Sequence, residues 1–290
     1  MKPIIQDKID LPNGETMHYR TCKGGQRILV MVHGQLASSL FFEDVMQALP
    51  EDYTVYAIDM RGFGGSSYNR PIDTLRDFAS DLKLFADEMK LKTFDLLGWS
   101  TGGAVSMLFS ACYGEMVSHL FLVASAGLSG YQTYATDSEG KVQFLDSKRA
   151  FQEDVSKKRQ LEAVETKDKA FYRMLWKLIY NINVPDPVVF EAQIEESLSQ
   201  KNLIDVYYCL AKFNISNSYN GFMMGSNEIR HLKMPTTIIQ GDRDLLLSVE
   251  TAKEIKEALG DHAKLILAEN CGHSPMVDAH DILVKAIIER

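Results

Sequence analysis

With 290 residues, 46% of them apolar and 24% charged, the chain has the balance of a soluble globular protein, with room for one sizeable core and one or two domains. A net charge of −8 at pH 7 argues against a nucleic-acid-binding surface and against docking on anionic lipid or a strongly acidic partner. No apolar run approaches the roughly 18–20 residues of a membrane helix, Met1–Lys8 lacks the features of a signal peptide, and Cys22, Cys112, Cys209 and Cys271 are scattered with no CxxC pair, so a soluble cytoplasmic protein with free thiols is expected.

In chain order, Ile4–Leu11 and Glu15–Arg20 read as an antiparallel hairpin turning at Pro12-Asn13-Gly14. Ile28–Val32 is wholly apolar, as a central strand covered on both faces requires. Ser38 or Ser39 can cap a helix reaching about Ala48, Thr54–Ile58 is the next strand, and Thr74–Asp77 is a capping sequence for a helix to about Lys90. Phe94–Leu97 and Leu120–Ala124 are strands flanking a helix over Thr101–Tyr113. Strands alternating with helices of this length imply parallel βαβ units.

From about 128 to 230 the strand pattern stops, and helices are expected over Val142–Leu161, Lys167–Ile182, Pro187–Ser199 and Leu203–Ile215. It resumes at Thr236–Gln240, followed by a helix over Glu250–Leu259, a last strand at Lys264–Leu267 and a final helix over Pro275–Ile288. The middle block therefore reads as an insertion into an α/β core.

Gly98-Trp99-Ser100-Thr101-Gly102 is a G-x-S-x-G sequence with a strand before it and a helix after it. A strand-to-helix turn that tight holds the serine in a strained backbone, so the residues two away on each side must be glycine. Ser100 is the expected nucleophile, and Trp99 is expected to line or support the pocket. An acyl-transfer site also needs two preorganised N–H donors for the developing oxyanion. Thr101 supplies one, and Gln35, in the His33-Gly34-Gln35 loop after the buried strand, supplies the other. Gly34 allows close approach of the chain, and His33 reads as a structural hydrogen-bonding residue.

Of the seven histidines, His273 alone sits in a glycine-flanked turn after the last expected strand, which makes it the expected base. Gly241-Asp242-Arg243-Asp244 follows another strand on the same sheet edge. Asp244 is favoured as the acid that orients His273, with Asp242 one position too early. The order Ser100, Asp244, His273 suits a nucleophile-elbow fold. No His, Cys, Asp or Glu cluster shows metal-ligand spacing, and such a triad needs neither metal nor cofactor.

These motifs, together with Asp59–Ser66, resemble the α/β-hydrolase superfamily over nearly the whole chain. The resemblance implies a mostly parallel sheet flanked by helices, with 1–127 and 231–290 as the core and 128–230 as a helical cap. It makes Asp59 and Arg61 supports of a loop near the site. The Gly-Trp-Ser-x-Gly-Gly elbow is similar to that of some intracellular polyhydroxybutyrate depolymerases and carboxylesterases. Asp278 stands where such chains commonly have Glu.

The expected function is hydrolysis of an ester, thioester or lactone of a small-molecule acyl substrate through an acyl-serine. Carbon–carbon bond hydrolysis on the same triad is the alternative, and a non-enzymatic hydrolase-like receptor is the rival from another class. The segment Phe171–Tyr180 is apolar on nearly every face, so it packs on two sides and offers Trp176 as a pocket-wall residue.

Overall fold

The computed structural model describes residues 2–136 and 140–290. Its strands are β1 (Ile5–Asp10), β2 (Thr16–Cys22), β3 (Arg27–Val32), β4 (Tyr53–Ile58), β5 (Phe94–Trp99), β6 (Val117–Val123), β7 (Tyr134–Thr136), β8 (Val142–Phe144), β9 (Thr236–Gly241) and β10 (Ala263–Ala268). The main sheet has the order β1-β2-β4-β3-β5-β6-β9-β10. β1 and β2 form the expected antiparallel hairpin, β2 runs antiparallel to β4, and the remaining six strands are parallel. It is an α/β-hydrolase fold, as expected.

Period-two alternation explains why the central strands are apolar throughout. Val30, Val32, Leu96, Leu120, Leu122 and Ile238 belong to one buried cluster. That cluster includes side chains of α2 (Arg76–Glu88), α3 (Thr101–Cys112) and α9 (Val249–Leu259). Their neighbours Leu29, Met31, Leu97, Phe121, Val123 and Ile239 belong to a second cluster, with α1 (Glu43–Ala48) and α11 (His280–Ile288). Each such fully buried aliphatic side chain contributes about 1.5–3 kcal/mol.

Register then brings the functional loops together. Val32 pairs with Gly98, so the loop after β3 lies beside the turn after β5. Ala268 pairs with Gly241, so the loops after β9 and β10 are also neighbours.

The insertion differs from expectation in three places. β7 and β8 pair antiparallel in a stretch where no strand was expected. The expected Val142–Leu161 helix is instead β8, α4 (Lys148–Glu153) and α5 (Val155–Glu165), because Asp154 leaves helical geometry at ψ 132° and caps α5 by accepting the Lys157 N–H. The next helix, α6 (Lys169–Trp176), gives way to tight turns in which Leu178 and Ile179 bond carbonyls three residues back. α7 (Pro187–Ser197) and α8 (Leu203–Lys212) complete this segment. Outside it, the final helix breaks at Ala279 into α10 (Pro275–Asp278) and α11. The insertion's Ala163, Tyr172, Trp176, Ile194 and Leu198 share the second cluster with the sheet, so it packs as part of the body and not as a separate lobe. No helix among the described residues is long and apolar enough to cross a membrane.

The turn after β4 is held by a buried carboxylate. Asp59 accepts hydrogen bonds from His18 Nδ1 at 2.7 Å, from the Ser39 N–H at 2.7 Å and from the Gly65 N–H at 2.8 Å. Burial pushes the Asp59 pKa up, but these donors and nearby His33 outweigh it and bring it down to about 2. Because the folded value lies below the unfolded one, the stabilisation is present above the ordinary carboxylate range and is lost as pH falls toward 2. Asp59→Asn should therefore lower stability by about 2 kcal/mol at neutral pH. Urea titrations of both proteins should show that gap closing between about pH 4 and pH 2; a gap independent of pH would contradict the assignment. Arg61 is likewise a support: it makes a two-pronged contact with buried Asp81, and its carbonyl accepts from Asn202 of the insertion.

Candidate active site

β5 ends directly in Ser100, whose φ of 55° and ψ of −119° are strained for any residue with a side chain. The surrounding backbone over-determines this conformation. The Ser100 N–H donates to the Val123 carbonyl at 3.1 Å, and the Ser100 carbonyl accepts from the N–H groups of Gly103 and Ala126. A Cβ at Gly98 would collide with the Gly102 carbonyl, and one at Gly102 with the Val32 carbonyl, which is why the turn needs glycine on both sides. At Gly34 an added Cβ would sit 2.9 Å from that of Ser100, so the loop after β3 runs against the serine itself.

The loops after β9 and β10 bring the expected acid and base together. His273 Nδ1 donates to Asp244 Oδ2 at 2.8 Å, and the side chain of Asp244 is completely covered. Oδ2 also accepts from Gln240 Nε2, while Oδ1 accepts from the N–H groups of Leu246 and Leu247. Burial disfavours the Asp244 anion, but His273 and those N–H donors outweigh it and hold the carboxyl below its ordinary value. Asp242 is exposed and turned elsewhere, accepting the Cys271 N–H at 3.1 Å. Asp278 ties the His273 loop to the insertion: it accepts from the Gly272 N–H at 2.8 Å and from the backbone and side chain of Asn183 at 3.0 Å.

Gln35 and Thr101 both line the same cavity as Ser100 and His273. Among the described residues, no backbone carbonyl or side chain accepts the backbone N–H of either one. The next residue, Leu36, is held at φ 61° by the insertion. Its N–H donates to Gln200 Oε1 at 3.1 Å, and its carbonyl accepts from Ser197 Oγ at 2.6 Å. His33 is fixed by its backbone neighbours, donating from Nδ1 to the Gly34 carbonyl and accepting the Met60 N–H at Nε2. Burial lowers its pKa, and it does not line the cavity.

The cavity holds about 270 Å³, just below the roughly 300–1,000 Å³ usual for small-molecule pockets. Trp99 lines it, and its indole N–H donates to the His273 carbonyl at 2.9 Å. Trp176 does not line it. That side chain is fully buried, stacked on Phe41 at 4.9 Å, with its N–H on Ser197 Oγ, the same hydroxyl that bonds the Leu36 carbonyl. Its expected place on the wall is taken by Leu175, Leu178 and Ile179. Helical spacing could not predict this, because the chain leaves helical geometry after Trp176 and rotates the following side chains. Lys157, Gln160 and Tyr207 also line the cavity. The sequence carried no signal for them: Lys157 and Gln160 fall inside the expected Val142–Leu161 helix and Tyr207 inside the expected Leu203–Ile215 helix, with no motif to mark them. Among the described residues, no group of three or more His, Cys, Asp or Glu side chains could hold a metal ion.

Comparison with known proteins agrees with this fold. The family described as alpha/beta hydrolase fold matches residues 27–279. Human monoacylglycerol lipase ABHD6 is 26% identical over 279 residues, spanning 93% of this chain and 77% of the lipase. Proline iminopeptidase PfmaB of Pestalotiopsis fici is 26% identical over 286 residues, spanning 95% of each. Among solved structures, the esterase EaEST from Exiguobacterium antarcticum superposes with a TM-score of 0.75 at 19% identity, covering 98% of each chain.

Proposed function

The chain belongs to the alpha/beta hydrolase fold family, and from that membership and the site geometry we propose that it is a serine hydrolase cleaving a carboxylic ester, thioester or lactone. The observation that carries the reading is the meeting, in one cavity, of a strained Ser100 with a His273 whose Nδ1 is bonded to a buried carboxylate.

In this reading Ser100 Oγ attacks the acyl carbon while His273 Nε2 takes its proton. Asp244 keeps the other imidazole proton on Nδ1 and stabilises the imidazolium. The oxyanion of the tetrahedral intermediate accepts from the N–H groups of Gln35 and Thr101. Collapse expels the alcohol or thiol, which takes the proton from His273 and leaves an acyl-serine. A water, deprotonated by His273, then releases the acid and restores Ser100. Residues 128–230 act as the cap: Lys157, Leu175, Ile179 and Tyr207 wall the acyl pocket, and Ser197 and Gln200 hold the oxyanion loop in place.

The two relatives act on different bonds, and the cavity favours the ester. An aminopeptidase must hold a protonated substrate amine, yet among the described residues no carboxylate lines this cavity. The lining is mostly apolar and the volume modest, which suits a short or medium acyl chain. Assays on p-nitrophenyl esters from acetate to laurate, beside lactones and proline p-nitroanilide, test this. Turnover should peak among the shorter esters and be negligible on the anilide. Inactivity on every ester and lactone would overturn the proposal.

A further inference from the structure

Lys157 is unusual among the cavity residues. It projects from the first turn of α5 and lies over the Tyr207 ring, with Nζ 4.0 Å from the ring centre. Among the described residues it forms no ion pair, and no side chain or carbonyl accepts from its ammonium. The nearest acidic residue in sequence, Asp154, is engaged in capping α5, accepting the Lys157 backbone N–H at 3.0 Å and the Ser156 hydroxyl at 2.6 Å. Among the described residues, no Asp or Glu lines the cavity. A second donor there is also unmatched, since the side-chain amide nitrogen of Gln35 is buried without an acceptor.

A half-buried cation without an anion is unfavourable unless something compensates it. The Tyr207 ring face offsets part of that cost and fixes the ammonium in position, but its N–H donors remain available. Burial pulls the Lys157 pKa below its ordinary value, and Asp154 pushes it only part of the way back, so the charge stands to gain from a partner.

We propose that Lys157 is a specificity residue that recognises a second, non-reacting carboxylate on the substrate, so that the preferred esters are acidic. This rests on the serine-hydrolase reading of Ser100 and names its substrate class. The carboxylate can sit on the acyl chain or on the alcohol. In either position it would form a charge-assisted hydrogen bond with the ammonium while the ester carbonyl lies at Ser100.

Two substrate arms separate these sources. One compares p-nitrophenyl half-esters of short dicarboxylic acids with their ω-methyl esters. The other compares butyrate esters of ω-hydroxy acids with the corresponding methyl esters. In at least one arm the wild-type enzyme should prefer the carboxylate by about 10- to 100-fold in kcat/KM, the range for a hydrogen bond to a charged group. Lys157→Met, which keeps the apolar stem and removes the charge, should bring that ratio near one. Lys157→Glu should reverse it and favour ω-amino esters. Preference in one arm alone identifies which half of the substrate carries the anion. A wild-type ratio near one in both arms, or a preference that survives Lys157→Met, overturns the carboxylate subsite. Fluorophosphonate labelling of wild-type Ser100 separates that result from failure of the underlying reading: a labelled but indifferent enzyme refutes only the subsite, and an unlabelled one refutes both.

Discussion

Ser100→Ala should remove both the fluorophosphonate adduct and hydrolysis, with kcat falling on the order of 10⁴- to 10⁶-fold. The expected loss is this large because no other hydroxyl shares its position: Ser100 follows β5 directly, in a backbone conformation that three hydrogen bonds impose. Alanine keeps the Cβ and so faces the same φ of 55°, and the elbow should keep its shape. The Gln35 and Thr101 N–H groups would remain, leaving a small residual rate from oxyanion stabilisation and binding. Intact-mass spectrometry after fluorophosphonate treatment reads the result directly. One adduct on the wild type and none on the variant is expected; an adduct on the variant would place the nucleophile elsewhere.

The second large effect separates two carboxylates in one turn. Asp244→Asn should lower kcat on the order of 10³- to 10⁴-fold, while Asp242→Asn should cost less than about tenfold. Asp244 uses both oxygens, Oδ2 toward His273 and Gln240 and Oδ1 toward the Leu246 and Leu247 N–H groups. An asparagine has only one acceptor oxygen. If that oxygen stays with the two backbone donors, its NH₂ faces His273 and drives the ring proton from Nδ1 to Nε2, where it blocks uptake of the serine proton. Asp242 is exposed and accepts a single backbone N–H, which an asparagine oxygen can still do. Measured kcat for both variants, with circular dichroism to confirm folding, decides the matter. A crippled Asp242→Asn beside an active Asp244→Asn would exchange their roles.

Much of this was legible in the sequence, because the features concerned are enforced over a few residues. The Asn-Gly hairpin, the apolar runs of the parallel strands and the Gly-x-Ser-x-Gly turn are local backbone requirements that leave residue-type signatures. The loops of His33, Asp244 and His273 could be assigned to one sheet edge because parallel strands bring their carboxyl ends together. Choosing Asp244 over Asp242 lay at the limit of that reasoning, since which side chain turns toward His273 is set by the packing of the β9 and β10 loops.

The cavity wall, by contrast, only the tertiary structure could decide. Gln35, Lys157, Ile179, Tyr207 and Leu246 come from five distant stretches of chain, and their meeting depends on how the insertion settles on the sheet. Trp176 read as a pocket residue but lies beneath the wall, because the turns after α6 present Leu178 and Ile179 in its place. Lys157 carried no mark in the sequence but lies over the Tyr207 ring inside the site. A motif records what a short backbone segment must do, whereas the occupants of a cavity are fixed by long-range packing that leaves no periodic trace in the chain.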